Sequence, residues 1–115
     1  MLTIRREQIA ALDALALRLS LQRLVREFEV LRPQHFQAMG ARESEEFLRR
    51  TVNQGLVWGI RIEKDVWALI DLMLAYGDFH LAPDRPWALP ILNHPTLSGT
   101  AKIKVVTANL RERLD

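Results

Sequence analysis

Any chemistry in this chain has to start from His35, His80 and His94, because it has three histidines and no cysteine. The missing cysteine excludes a thiol nucleophile, a disulfide framework and a cysteine-held zinc site. None of the histidines has a second histidine or a carboxylate at i,i+3 or i,i+4 on an expected helix. Tetrahedral zinc would then need three His or carboxylate ligands converging from separate loops. Asp78, His80 and Asp84 share one loop and come nearest to such a set. Polar residues in a proline-rich loop ordinarily face water or hold turns, and that reading is preferred. No metal and no cofactor is expected.

The hydroxyls and carboxylates lead no further. Ser44 and Ser98 read as helix starts, and Ser20 falls inside the first helix. No nucleophile elbow, Gly-rich phosphate loop or His-Glu-x-x-His pattern occurs. Glu27 and Glu29 bracket Phe28 and point to different faces, so they form no acid–base dyad. No catalytic residue is assigned, and the expectation is a protein that is not an enzyme. Arg5, Arg6, Arg18, Arg23, Arg26 and Arg32 decorate the first helix, and Arg49 and Arg50 the next. They scatter around the axis among acidic residues, which describes a solvated charged face better than a groove-reading stripe. Of the tryptophans, Trp58 and Trp87 read as core. Trp67 lies beside the main stripe of its helix, where core packing and partner anchoring are equally good readings.

The elements that carry these residues are helices throughout, since no segment alternates apolar and polar positions for more than a few residues. The first helix is expected over 3–32, opened by Thr3 and stopped by Pro33. Pro33–Met39 makes a short helical turn closed by Gly40. A second helix runs from Arg42 or Ser44 to Trp58, with Phe47, Leu48, Thr51, Val52, Gly55 and Leu56 inward and Gly59 at its end. A third spans 63–76 with Val66, Leu69, Ile70 and Met73 inward. It has a poor N-cap, because Arg61 and Ile62 stand where Ser, Thr or Asp is favoured. Residues 78–86 read as a loop with no regular element. Pro86 starts a short helix to Leu92, with Pro86 and Trp87 anchoring the loop. Ser98 caps a last helix over 99–114, striped by Ile103, Val106, Leu110 and Leu114.

The expected fold is therefore all-α: a small single-domain bundle, residues 1–115, of five to six helices with a long N-terminal helix. At 115 residues two separate cores would each be too small. Hydrophobic residues make up 49% and charged ones 26%, with a net charge of only +2. Such a balance does not commit the surface to nucleic acid or anionic lipid. No apolar run is long enough to span a bilayer. The start of the chain lacks the basic-then-apolar order of a signal peptide, so a cytoplasmic location is expected.

The first helix stands apart. At about 100° per residue, Leu17, Leu21, Leu24, Phe28 and Leu31 fall on one side and Leu12, Leu15, Leu19 and Val30 on the other. A helix lying on one core needs a single apolar stripe. The longer stripe, which carries Phe28, is assigned to the core. Leu12, Leu15 and Leu19, with Trp67, are assigned to a partner, either another protein or a second copy of the chain.

Gly59-Ile60, Asp65-Val66, Ile70-Asp71-Leu72-Met73, Gly77, Pro86-Trp87-Ala88 and Ile91-Leu92 occur in an order with a familiar look. With the opening Leu2-Thr3-Ile4-Arg5-Arg6-Glu7-Gln8 and the closing Lys102-Ile103 helix, the chain resembles a family of small helical bacterial proteins found among type VI secretion genes. Arg61 and Ile62, in place of a Ser or Thr cap, and a leaner loop after Gly77 depart from the pattern. The resemblance implies a co-chaperone that binds an effector-adaptor chaperone, or the effector, during loading, with no catalytic residue. The alternative is an immunity protein that blocks a cognate toxin. Such proteins often carry a strongly acidic surface, and this chain does not.

Overall fold

Burial at every third or fourth position shapes the first described helix. The computed structural model describes residues 21–112. Residues 21–31, here α1, are helical, with Leu21, Leu24 and Phe28 buried at i, i+3 and i+7. Arg32 interrupts the helix, and its carbonyl accepts the Phe36 N–H at 2.9 Å. The second element, α2, spans Pro33–Val57. Pro33 suits a first helical position, where its missing N–H costs nothing. At Gly40 the backbone leaves helical geometry (φ 81, ψ 166), a conformation disfavoured for residues with a Cβ. The expected short turn ending at Gly40 is thus present as the first part of α2.

Two compact units divide the chain between Arg49 and Arg50. In the first, the Phe28 and Phe47 rings tilt together with centroids 6.2 Å apart. Ser44 and Leu48 are buried on the same face of α2. Exposed i,i+4 pairs (Arg23–Glu27 and Arg42–Glu46, both 3.5 Å; Arg49–Glu45, 2.7 Å) line the outer faces. Each contributes only about 0.3–0.5 kcal/mol, so apolar burial dominates this unit.

The second unit starts from the last turns of α2. Ile60 N–H bonds the Gly55 carbonyl at 2.8 Å and Gly59 N–H bonds Leu56 at 3.1 Å. This is a Schellman ending, with Gly59 supplying the positive φ of 77°. A Cβ added to Gly55 would stand 3.6 Å from Ile60 Cβ, so the chain folds back tightly over the helix end. Helix α3 follows at Glu63–Tyr76 and, as expected, has no side-chain cap at Ile62. A 3-10 turn at Phe79–Leu81, α4 at Ala88–Leu92 and α5 at Gly99–Glu112 complete the unit. Helix α5 packs against α3 and α4, and α4 packs against the 3-10 turn. Trp58, Ile60, Leu69, Ile70, Phe79, Leu92, Val106 and Leu110 form the buried centre. All described elements are helical, and the fold class is all-α.

Several expectations change. The loop 78–86 holds a regular element after all, because Phe79 is wholly buried and drags a 3-10 turn inward. Fully burying a phenyl ring stabilises by about 1.5–3 kcal/mol, enough to override the local turn signals. Helix α4 begins at Ala88 and not at Pro86, which is exposed and lies in the preceding turn. In the same loop the Arg85 guanidinium lies 5.8 Å from the Tyr76 ring centre. Trp87 is half-buried. Ser44 starts no helix; Gly40 makes the break, and Ser44 lies on the buried face four residues later.

Candidate functional site

The two-faced pattern of the first helix can be followed in its last turns. Val30 is 76% exposed, as the second stripe requires. Leu31, assigned to the core stripe, is 53% exposed, and that assignment is corrected. The reason is the helix end: α1 stops beside Leu31 at Arg32, where the stripe runs out of neighbours. Val30 and Leu31, with Arg23, Arg26 and Glu27, line a shallow open groove on α1. Two aliphatic side chains thus meet solvent between charged rims, with Arg23 and Glu27 paired across one turn. Leu12, Leu15 and Leu19 lie outside the described residues, as does Leu17. Val30 is the described residue of their stripe, about 0–60° from each of them on the wheel.

Trp67, the remaining partner candidate, is half-buried on α3 and engaged with neighbours. It belongs to the second unit, and α3 buries Asp65, Leu69, Ile70, Leu72 and Met73 over much of its circumference. Trp58 is buried, as expected for a core tryptophan.

Asp78, His80 and Asp84 do not converge on a common point. Both aspartates are exposed, whereas His80 turns inward and packs edge-to-face on Trp58 (5.0 Å, 78°) and Phe79 (5.8 Å, 84°). Burial pushes the His80 pKa below its ordinary value, and the nearby Asp78 charge opposes that shift. Among the described residues, no group of three His, Asp or Glu is arranged to hold a metal ion. Ser98 does cap α5, its Oγ accepting the Ala101 N–H at 3.1 Å.

Composition and motif reading missed a buried polar clasp at the start of α5. Thr100 donates to Asp65 Oδ2 at 2.5 Å, and Lys102 Nζ donates to the Trp58 carbonyl at 2.8 Å. Asp65 and Lys102 are both buried. Trp58 offers one of the free carbonyls at the end of α2, where a cation also meets the negative end of the helix dipole. The spacing could have shown it: Asp65 stands at i−4 and i−7 from Leu69 and Leu72, and Lys102 at i−4 from Val106.

No family model, curated protein or solved structure matches the chain. No helix among the described residues is long and apolar enough to cross a membrane.

Proposed function

We propose that the protein is a non-enzymatic accessory factor, a co-chaperone that binds an effector-adaptor chaperone or its effector in type VI secretion. What supports a binding role is the open groove at the end of α1, lined by the exposed Val30 and Leu31. The secretion setting is supported by the sequence resemblance alone. In this reading the partner also covers Leu15 and Leu19, which the sequence pattern assigns to the same stripe as Val30. Each leucine buried there would contribute about 1.5–3 kcal/mol before the costs of association.

The experiment is co-purification of the full chain with the adaptor chaperone and effector encoded beside it, alongside the double variant Leu15→Ser/Leu19→Ser. Capture by the native chain and loss in the folded variant would support the reading. Capture of neither protein, with the chain pure and folded, would sink it. A stable homodimer abolished by the same substitutions would assign the face to self-association. Capture of a toxin whose activity is then blocked would return the immunity reading.

A further inference from the structure

His80 occupies a position that a charged imidazole fits poorly. Its ring stands edge-to-face against Trp58 and Phe79, and its Nδ1 is sealed from solvent with no hydrogen-bond partner among the described residues. A neutral imidazole can leave Nδ1 as a bare lone pair, whereas the protonated ring carries N–H on both nitrogens. Protonation therefore places a donor where nothing accepts it, and an unmet buried group costs more when it is charged.

The charges around the ring do little to relieve this. Asp78, two residues earlier, acts on His80 favourably but is itself exposed. Asp84 is exposed, and Arg85 lies over Tyr76. Helix α4, which packs on the turn, has no titratable residue in Ala88–Leu92. From α5, the Lys102 ammonium sits on the carbonyl of the same Trp58 and is a like charge.

We propose that His80 is an acid-released latch: the neutral ring holds the turn Phe79–Leu81 against Trp58, and protonation frees it. Release uncovers Phe79 and Trp58, both otherwise buried. The direction of the linkage follows from the depressed titration of the folded state. Stability is fully present above the ordinary histidine pKa and falls as pH drops through it, because the open state binds the proton more readily. This device does not depend on the proposed partner.

The test is an NMR titration of the His80 ring in the full chain, with hydrogen exchange of residues 78–87 followed from pH 7.5 to pH 5 and corrected for intrinsic rates. His80 should titrate below the ordinary histidine value. The Leu81 and Ala82 amides, bonded to Asp78 and Phe79 carbonyls, should lose protection as it does so. His80→Gln and His80→Phe should abolish that pH dependence. Titration at or above the ordinary value would mean that the Trp58 ring retains the cation by a cation–π contact, and would overturn the latch. The same loss of protection in both variants would overturn it equally. Should the variants fail to fold, the titration of the native chain decides alone.

Discussion

Gly99→Ala sets two well-measured effects against each other at the first position of α5. Replacing glycine by alanine in a helix ordinarily stabilises by up to about 1 kcal/mol, since the open chain loses freedom and the helix gains a good former. Here the added Cβ would lie 2.5 Å from the Gly59 carbonyl oxygen, 2.9 Å from Ile60 Cα and 3.0 Å from Gly59 C. All three are backbone atoms of the turn that the Schellman ending of α2 holds in place. Carbon contacts are comfortable at about 3.5–4.0 Å, so the start of α5 has to retreat by roughly 0.5–1 Å. That movement stretches the Thr100–Asp65 and Lys102–Trp58 hydrogen bonds. Overpacking of this kind costs about 1–3 kcal/mol, and weakening hydrogen bonds to charged groups adds about 1 kcal/mol or more. Sterics win over propensity, and the net expectation is a loss of about 2–3 kcal/mol.

Urea unfolding of the full chain, followed by helical circular dichroism, measures this loss as a lower midpoint at unchanged slope. Thr100→Val provides the second leg of a double-mutant cycle. If α5 has already retreated, removing the Thr100 hydroxyl should cost less in the Gly99→Ala background than in the native chain. A Gly99→Ala protein within about 0.5 kcal/mol of native, or more stable, would refute the close approach of α5 to the Gly59 turn.

Ile70 is completely buried on α3, so Ile70→Ala should cost about 2–5 kcal/mol in the same unfolding assay; a loss below roughly 0.5 kcal/mol would place it on the wrong face. Lys102→Met keeps most of the unbranched stem but removes the ammonium and strands the Trp58 carbonyl, and thermal or urea unfolding should register a loss of about 1–3 kcal/mol. Val30→Ser/Leu31→Ser should leave stability within about 0.5 kcal/mol of native, because both side chains already meet solvent. A larger fall would show that this end of α1 is covered in the folded chain. Unfolding free energy should be level above the ordinary histidine pKa and decline below it, with the His80 share of that decline absent in His80→Gln.

Helix positions were legible in the sequence because the punctuation is strong. Pro33, Gly40, Gly59 and Gly77 each mark a boundary within a residue or two of where the chain breaks or turns. The α3 limits and the Ser98 cap follow from periodicity and side-chain chemistry alone. Phe79 was not legible. Local rules read the Asp, His and Pro around it as loop signals, whereas its burial is a tertiary effect that a short window does not contain. Leu31 failed for the converse reason: the wheel gave its angle but not the nearness of the helix end, where the stripe runs out of neighbours.

Asp65 and Lys102 teach something narrower about buried charge. Each stands at helical spacing from buried apolar residues, although charged residues are rarely buried unless paired. The structure meets that condition with uncharged partners. A threonine hydroxyl donates to the carboxylate, and a helix-end carbonyl accepts from the ammonium. Both partners lie at element ends, and the Trp58 carbonyl is one of the backbone groups that a helix end leaves unsatisfied. A charged residue in an apolar stripe is therefore best read together with the nearest helix terminus it can reach. Lys102 reaches the end of α2 because Gly99, lacking a side chain, lets α5 approach the Gly59 turn. The glycine and the lysine act as one device: enlarging the first withdraws the second from its carbonyl. For this reason the two substitutions should couple strongly in a double-mutant cycle, whereas Ile70→Ala should add to either with little coupling unless it shares their displaced backbone.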